Sequence, residues 1–282
     1  MNNFNNLNQL IEMALHEDLL DIGDITSEAI FTDELYSYKL IAKDSGILCG
    51  IDIFTAVMKY IDNKINVQKL FNDKDAISKG DIVAEISGPV ISILKAERTS
   101  LNFISHLSGI ATKTALFVKE SGGRVTILDT RKTLPGYREL QKYAVLCGSG
   151  ENHRIGLYDM ILIKDNHSDA AGGITPAVER VKARWGNKYR IEVEARNLAE
   201  VKEAVKCNVD RIMLDNMSNE QMKEAVDYIG GKIKTEGSGN MNLQRIHDVS
   251  LTGVDFISFG ELTNSVKAFD FSLKEVKDGT IC

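Results

Sequence analysis

Hydrophobic and polar positions follow different patterns in the two parts of this chain. From about residue 123 onward, short apolar and β-branched runs alternate with segments whose apolar residues recur every three or four positions. This pattern predicts strands alternating with helices. The predicted strands are VTILD (125–129), MILIKD (160–165), YRIEVE (189–194), RIMLD (211–215), KIKTEG (232–237) and DFISFG (255–260). The predicted helices include YRELQKYAVLC, TPAVERVKARW, LAEVKEAVK and NEQMKEAVDYI.

The βα repeat predicts a parallel sheet. Short helical crossovers between successive strands require parallel pairing, and in such sheets the residues that face a ligand lie at the carboxyl ends of the strands. Six strong strands predict an α/β barrel that is irregular or incomplete, built from about six βα units.

The first hundred or so residues lack this repeat. They contain a strand pattern in YKLIAK, a helix pattern in IDIFTAVMKYI and short β segments in KGDIVAEISGP, which together indicate an α+β domain. A long helical stretch, roughly 93–119, bridges the two parts. We therefore predict an α+β domain over residues 1–110, the barrel domain over 111–268, and a tail over 269–282 that returns to the first domain.

Cationic residues cluster at the ends of the predicted strands. The motifs DTRKT (129–133), GSGENHR (148–154) and LIKDNH (162–167) supply Arg131, Lys132, His153, Arg154, Lys164 and His167. Buried or half-buried cations are costly unless they are paired. The cluster therefore predicts a site for ligands that carry carboxylate or phosphate groups, and the alternative is a solvated, salt-bridged surface.

Two later strands end in carboxylates. Glu192 and Glu194 lie on one face of the IEVE strand, and Asp215 ends the next strand. Sparse, hard oxygen ligands suit Mg²⁺ bound together with substrate phosphates, and the same carboxylates suit stabilisation of a cationic transition state. Because only one of the two glutamates need lie at the rim, we favour Glu194, which is nearer the carboxyl end.

Small residues follow the last two predicted strands, in TEGSGN and SFGELT. Gly237, Ser238, Gly239 and Gly260 would let backbone N–H groups approach an anion closely, as in many phosphate sites. A glycine at a strand end is also compatible with a simple turn. Two such turns on adjacent strands favour the phosphate site.

Composition restricts the function classes. The chain has 282 residues, 43% of them hydrophobic, and a formal net charge of -6, which is ordinary for a soluble globular protein and argues against a general role in nucleic-acid or membrane-surface binding. No signal sequence or long apolar run is evident, so we expect a cytoplasmic protein. The cysteines Cys49, Cys147, Cys207 and Cys282 form no CxxC pair, and reduced thiols are expected.

The longest motifs carry a resemblance to a known family. EDLLDIGDIT, AERTSLNFISHLSGIAT, DTRKTLPGYRELQKYAV, GSGENHRIGLYDMILIKDNH, LDNM, EGSG and ISFGELTNS make the chain similar to the quinolinate phosphoribosyltransferases, also called nicotinate-nucleotide pyrophosphorylases (carboxylating). The resemblance implies a barrel of the type II phosphoribosyltransferase kind. It also implies transfer of phosphoribosyl from phosphoribosyl pyrophosphate to quinolinate with decarboxylation, giving nicotinate mononucleotide, in de novo NAD biosynthesis.

The resemblance also implies roles for individual residues. By this resemblance Arg131, His153, Arg154 and Lys164 would hold the quinolinate carboxylates, Lys132 and His167 would lie nearer phosphoribosyl pyrophosphate, Glu194 and Asp215 would be the Mg²⁺ and ribose-side carboxylates, and Ser238, Gly239 and Gly260 would form the 5′-phosphate cradle. Lys164, Glu194 and Asp215 are the implied catalytic residues. The family's counterpart of Arg98 reaches a neighbouring subunit's site, which implies a homodimer or a higher homo-oligomer with shared active sites.

Some positions depart from the family pattern, and other functions stay open. Leu134, Ser149, Gly237, Asn240 and Asn264 replace the usual residues, and Asn264 puts one polar contact near the phosphate end in doubt. A molybdenum-associated branch of the same fold would take another acceptor. A Schiff-base aldolase would use a desolvated Lys164 as nucleophile. A non-catalytic metabolite sensor would keep only the pocket.

Overall fold

The computed structural model describes residues 4–277 and 280–281. The helices are α1 (Leu7–Leu19), α2 (Ser27–Ile30), α3 (Ile51–Ile61), α4 (Val90–Ser121), α5 (Arg138–Cys147), α6 (Asp165–Ala171), α7 (Ile174–Trp185), α8 (Leu198–Lys206), α9 (Asn219–Ile229), α10 (Ile246–Ser250) and α11 (Glu261–Asn264). The strands are β1 (Leu35–Ala42), β2 (Gly46–Ile47), β3 (Asn66–Lys69), β4 (Ala76–Ile77), β5 (Ile82–Pro89), β6 (Thr126–Leu128), β7 (Ile161–Ile163), β8 (Ile191–Ala195), β9 (Arg211–Asp215), β10 (Lys234–Ser238), β11 (Phe256–Ser258), β12 (Phe271–Lys277) and β13 (Thr280–Ile281). All six predicted βα-repeat strands and all four named helices are confirmed.

The chain forms two compact units. Unit 1 comprises Met1–Lys113, Pro135–Ser149 and Val266–Cys282, and unit 2 comprises Thr114–Leu134 and Gly150–Ser265. The continuous stretches 1–110 and 111–268 predicted from the sequence therefore differ from the observed units, because the segment with α5 belongs to unit 1. Side-chain hydrogen bonds hold this segment in unit 1: Gln141 Nε2 bonds His106 Nε2 of α4 at 2.8 Å, and the Tyr143 hydroxyl donates to Asp73 at 2.8 Å.

Unit 1 is built around an antiparallel sheet with strand order β13-β12-β1-β5-β3. The central strand β1 pairs with β5 on one side and with β12 on the other, where Leu40 lies opposite Leu273. Helix α3 contributes Phe54 and Val57, both fully buried, to the core of this unit. Strand β12, at the carboxyl end of the chain, thereby extends a sheet formed mainly by early residues.

Unit 2 contains a six-stranded parallel sheet with the order β6-β11-β10-β9-β8-β7. The sequence prediction of a parallel α/β sheet is confirmed. Among the described residues, β6 pairs with β11 on one side and does not pair with β7. On its other side, Leu128 of β6 forms only an isolated parallel bridge with Glu151. Closure of the sheet into a barrel therefore stays a prediction.

Each βα unit is defined by local signals as well as by burial. The strand residues Val193, Ile212 and Leu214 are fully buried, as expected for parallel strands covered on both faces. Helix α9 begins with a capping box, in which Gln221 N–H donates to Ser218 Oγ and Ser218 N–H donates to Gln221 Oε1. Such reciprocal bonds satisfy two N–H groups that a helix start leaves unpaired.

No helix within the described ranges is both long enough and apolar enough to cross a bilayer.

Shortening a buried strand side chain should weaken unit 2. Leu214→Ala removes apolar atoms from a site with no solvent exposure, so we expect a loss of about 2 to 5 kcal/mol in the free energy of unfolding. Leu251→Ala is the matched control because Leu251 is 59% exposed, and its effect should stay within about 0.5 kcal/mol. Urea unfolding followed by circular dichroism measures both, and equal effects would contradict this account of the core.

Candidate active site

A pocket of about 600 Å³ lies at the carboxyl ends of the strands of unit 2. The register places Asp215 of β9 opposite Ser238 of β10, and Glu194 of β8 opposite Met213. Strand residues on one face recur every second position, so the lining side chains follow one another along and across the sheet. The lining residues include Arg131, Lys132, His153, Arg154, Lys164, Glu194, Asp215, Ser238 and Gly239.

Five of the six predicted cationic residues, all except His167, line this pocket, and they differ in burial. Arg131 and Arg154 are half-buried, and Arg131 Nε has no hydrogen-bond partner although it is buried. Arg154 Nη1 donates to the Met160 carbonyl at 3.2 Å. Burial, together with the charge of Arg131, lowers the pKa of Arg154, yet an arginine stays protonated at neutral pH. Two adjacent guanidinium groups therefore offer positive charge that the protein only partly compensates.

Lys164 lies at the entrance to helix α6. Its side chain is 48% exposed, and its Nζ lies 3.8 Å from Glu194 Oε2. Lys164 is therefore not the desolvated lysine that an aldolase nucleophile would require. The backbone N–H of Lys164 donates to His167 Nδ1 at 3.0 Å, so His167 caps α6.

His153 lies buried beneath the cations. Its backbone N–H donates to Asp129 Oδ1 at 2.9 Å, and its Nδ1 accepts from the Arg154 N–H at 2.7 Å. Its Nε2 lies 3.0 Å from Glu192 Oε2 and 3.5 Å from Glu236 Oε2. The ring is therefore oriented by the protein on both sides.

Glu192 and Glu236 form a pair of buried carboxylates that sequence reasoning did not assign to the site. Neither side chain is exposed, and Arg211 Nη1 bonds Glu236 Oε2 at 2.9 Å. Burial raises the pKa of each carboxyl to about 7. The signal that could have found them is a glutamate inside an apolar β-branched run, since a charged side chain there must face a polar interior.

Glu194 and Asp215 face the pocket from neighbouring strands. Only 8% of the Glu194 side chain is exposed. Burial, and secondly the charge of Asp215, raise the pKa of Glu194, whereas Lys164 lowers it. The two carboxylates thus repel each other at a rim that otherwise carries positive charge.

The predicted phosphate cradle is shaped by two glycines. Gly239 has φ +82°, and a Cβ there would lie 2.3 Å from Asn216 Oδ1. A Cβ on Gly260 would lie 2.7 Å from Lys132 Cδ. Only glycine therefore fits at either position without moving a neighbour. Ser238 and Ser258 add hydroxyls whose oxygens lie 3.4 Å apart.

Three predicted site residues do not line the pocket. Arg98 is exposed on α4 in unit 1, His167 is exposed at the start of α6, and Gly260 lies against Lys132. Asn264 differs from the family pattern near the proposed phosphate end. It is exposed, and its Nδ2 would lie 3.4 Å from a Cβ on Gly260.

Two other departures from the family pattern occupy unusual backbone. Ser149 has φ +66° and Asn240 has φ +47°, which is the left-handed region that favours glycine. Glycine, the residue that the resemblance leads us to expect at both positions, would adopt this conformation without strain. Asn240 Nδ2 donates to Asn216 Oδ1 at 3.1 Å, and asparagine tolerates this region better than most residues.

The fold and the pocket together define the class: an α/β enzyme that binds polyanionic ligands at the carboxyl edge of a parallel sheet. Comparison with known proteins specifies this class further. Residues 110–274 match the family model described as quinolinate phosphoribosyl transferase, C-terminal domain, and residues 24–108 match the N-terminal domain.

Individual relatives agree. Quinolinate phosphoribosyltransferase [decarboxylating] 1b of Nicotiana tabacum is 43% identical over 95% of this chain and 82% of its own. The probable nicotinate-nucleotide pyrophosphorylase [carboxylating] of Bacillus subtilis is 40% identical over 94% of this chain and 93% of its own. The structure of the nicotinate-nucleotide pyrophosphorylase from Francisella tularensis superposes with a TM-score of 0.93 at 42% identity, covering 97% of this chain and 98% of that one. The chain belongs to the quinolinate phosphoribosyltransferase family.

The buried carboxylates should make stability depend on pH. A carboxyl whose pKa is raised from 4.5 to about 7 on folding destabilises the folded state progressively as the pH rises between these values, because the folded state binds more protons there. Glu236→Gln removes one such group. We expect its stability relative to wild type to increase by on the order of 2 kcal/mol from about pH 5 to about pH 8.

Urea unfolding at several pH values measures this difference. Loss of the Arg211 bond lowers the variant's stability by an offset that does not follow the titration, so the change with pH is the informative quantity. Glu224→Gln, at an exposed position of α9, is the control. A pH-independent difference for Glu236→Gln would contradict the raised pKa.

Proposed function

We propose that the unit 2 pocket is the active site for phosphoribosyl transfer to quinolinate. The chain is a quinolinate phosphoribosyltransferase (decarboxylating) of NAD biosynthesis: it converts quinolinate and phosphoribosyl pyrophosphate into nicotinate mononucleotide, pyrophosphate and CO₂. The observation that carries the pocket assignment is the convergence of Arg131, Arg154 and Lys164 on one cavity with Glu194 and Asp215. Both substrates are polyanions, and the guanidinium and ammonium groups of this cavity are complementary to their charge.

Quinolinate would bind at the guanidinium end. Arg131 and Arg154 supply planar donor groups suited to carboxylates, and Lys164 supplies a mobile ammonium group. His153 contributes differently from the role that the resemblance implies. Its Nδ1 accepts the backbone N–H of Arg154, and its Nε2 faces Glu192. His153 therefore supports the backbone of Arg154 in addition to contacting quinolinate.

Phosphoribosyl pyrophosphate would bind at the cradle end. The backbone around Ser238 and Gly239 would hold the 5′-phosphate. Residue 239 must be glycine there, because a Cβ would collide with Asn216. Gly260 gives Lys132 room to approach the phosphates in the same way. His167 would act from the start of α6 if the ligand extends to it, since it does not line the cavity itself.

Glu194 and Asp215 fit Mg²⁺ as a cofactor. They are hard oxygen donors on adjacent strands, and the charge of Asp215 disfavours ionisation of Glu194, a repulsion that a divalent cation relieves. When bound, Mg²⁺ would neutralise and orient the pyrophosphate leaving group. The residues themselves act on the ribose side, where the two carboxylates stabilise the positive charge that develops at the anomeric carbon as pyrophosphate departs.

Transfer is then governed by position. The cations hold the pyridine ring so that its nitrogen faces the ribosyl carbon, and attack forms a pyridinium. The new ring charge stabilises the carbanion left when the 2-carboxylate departs as CO₂, and a proton replaces it. Lys164 supplies the ammonium group that would hold that carboxylate beforehand. The protein's main contribution is therefore orientation and charge complementarity.

The remaining features belong to the same proposal. The six parallel strands form an irregular barrel of the type II phosphoribosyltransferase kind, in a cytoplasmic protein. Arg98, exposed on α4, serves the pocket of a partner subunit in a homodimer or higher oligomer. Arg98 is exposed and does not line the pocket of its own chain, and this supports a role in the pocket of a partner.

The direct test is product formation. Purified protein with Mg²⁺, phosphoribosyl pyrophosphate and quinolinate should yield nicotinate mononucleotide and CO₂ in equal amounts, whereas nicotinate and phthalate should not react. Chelation of Mg²⁺ should abolish turnover and re-addition should restore it. Binding of phosphoribosyl pyrophosphate without product from quinolinate would mean that the enzyme uses a different acceptor. Asn264 would then be the first residue to substitute, with histidine.

Removing the pocket ammonium should abolish turnover. Lys164→Ala takes away a half-exposed ammonium group that lies 3.8 Å from Glu194, so we expect kcat/KM to fall by at least about 100-fold, or roughly 3 kcal/mol, in a protein that stays folded. Lys206→Ala, at an exposed position at the end of α8, should retain activity. Near-normal turnover in folded Lys164→Ala would refute the role of Lys164.

Subunit mixing tests the shared site. Arg98→Ala and Lys164→Ala should each be inactive as homo-oligomers. After subunit exchange, mixed oligomers contain one site with both residues intact, so partial activity should return. Exchange is verified by native mass spectrometry of differently tagged chains. Absence of recovery in verified mixed oligomers would restrict Arg98 to its own chain.

A further inference from the structure

Unit 1 contains a cluster of two cysteines and an aspartate that the proposed reaction does not use. The Sγ atoms of Cys49 and Cys147 and a carboxylate oxygen of Asp73 all lie within 4.8 Å of one another. In a tetrahedral zinc site with bonds of roughly 2.0 to 2.3 Å, any two ligand atoms lie roughly 3.3 to 3.8 Å apart. A contraction of at most about 1.5 Å would therefore bring the three atoms to the spacing of such a site.

The three ligand atoms come from different segments and are held by packing. Cys49 lies two residues before the start of α3, Asp73 lies between β3 and β4, and Cys147 is the last residue of α5. The cysteines are 0% and 2% exposed. The Cys49 backbone is bound twice by Ser108, whose hydroxyl accepts from its N–H at 2.9 Å and donates to its carbonyl at 3.0 Å. Such support fixes a ligand in place.

Asp73 is oriented by neutral donors. Its Oδ1 accepts from the N–H groups of Gly50 at 2.7 Å and Ile51 at 3.0 Å, and its Oδ2 accepts from the Tyr143 hydroxyl at 2.8 Å. Burial raises its pKa in spite of these bonds, and within the described residues it forms no ion pair with a lysine or arginine. Capping of α3 accounts for Oδ1, but it does not account for two thiols beside the same carboxylate.

The two thiols interact with each other and with Tyr143. A hydrogen bond from Cys49 lowers the pKa of Cys147, and the Tyr143 hydroxyl acts on it in the same direction. Burial raises the pKa of Cys49. The geometry of the three ligand atoms, and not these shifts, is what indicates a metal site.

Solvent reaches one side of the cluster. A cavity of about 600 Å³ is lined by Asp73 and Tyr143 together with Asp52, Asn72 and Lys74. The sulfurs are not among its lining residues, so they lie behind the carboxylate. This arrangement gives an ion an entrance and leaves room for a water molecule as its fourth ligand.

We propose that Cys49, Asp73 and Cys147 bind one thiophilic divalent cation of the Zn²⁺ type, with a water molecule from the cavity completing a tetrahedral set. Binding releases the two thiol protons to solvent, each sulfur donates a lone pair to the cation, and nothing is oxidised or reduced. Sulfur donors favour Zn²⁺ over Mg²⁺, so this site is chemically distinct from Glu194 and Asp215. Its role is to connect the start of α3 with the end of α5.

Cobalt is the probe because its thiolate complexes absorb light whereas its carboxylate complexes do so only weakly. The full-length protein, stripped of metal and kept reduced with a phosphine, is titrated with Co²⁺ alone. We expect about one equivalent to bind with an intense near-ultraviolet thiolate band, displaced by Zn²⁺. Cys49→Ala and Cys147→Ala should lose the band. Asp73→Asn should weaken binding by at least about tenfold, the size of effect that removal of even an outer ligand produces.

Cys207→Ala is the matched control, since Cys207 belongs to unit 2 and should leave the band unchanged. Circular dichroism and quinolinate turnover verify folding, and Cys147→Ser replaces any alanine variant that does not fold. In wild type, one equivalent of Zn²⁺ should slow alkylation of Cys49 and Cys147 at least tenfold, but not that of Cys207. Absence of the thiolate band in wild type, its persistence in Cys49→Ala or Cys147→Ala, or a Cys49–Cys147 disulfide in the protein kept reduced would overturn the proposal.

Discussion

The structure of the pocket depends on the cost of bringing like charges together where water is partly excluded. Arg131 and Arg154 are half-buried neighbours, and burial with mutual repulsion lowers the pKa of Arg154. A chain accepts such a cost only when a ligand supplies the opposite charge. Both substrates are polyanions, so the same arrangement that destabilises the empty pocket provides the binding energy for the filled one.

The carboxylates beneath the cations complete this balance. Glu192 and Glu236 lie near His153 and Arg211, fully buried, with pKa values raised to about 7. Near neutral pH such a pair carries less than its full negative charge, because two adjacent buried carboxylates do not both ionise readily. The floor of the pocket therefore orients His153 without cancelling the positive charge above it. Glu194 and Asp215 lie at the rim, where burial and then the charge of Asp215 raise the pKa of Glu194.

The parallel strands set the spacing of these groups, and their register places Asp215 opposite Ser238. Gly239 and Gly260 each stand where a Cβ would collide with a neighbouring side chain. The proposed cation site in unit 1 follows a different principle, because its ligands come from three segments that are brought together only by packing.

The sequence by itself determined the local elements and the chemical character of the site. Apolar, β-branched runs such as RIMLD and amphipathic runs such as NEQMKEAVDYI specify strands and helices through their periodicity, and cations placed at strand ends must meet at one edge of a parallel sheet. Only the tertiary structure decided which groups share an environment. It placed α5 in unit 1, it brought Glu236 to His153 from a strand 83 positions further along the chain, and it gathered Cys49, Asp73 and Cys147. Periodicity acts between near neighbours, whereas burial and pairing across the fold depend on contacts between residues far apart in the chain, and these set the pKa values and the spacing on which the chemistry depends.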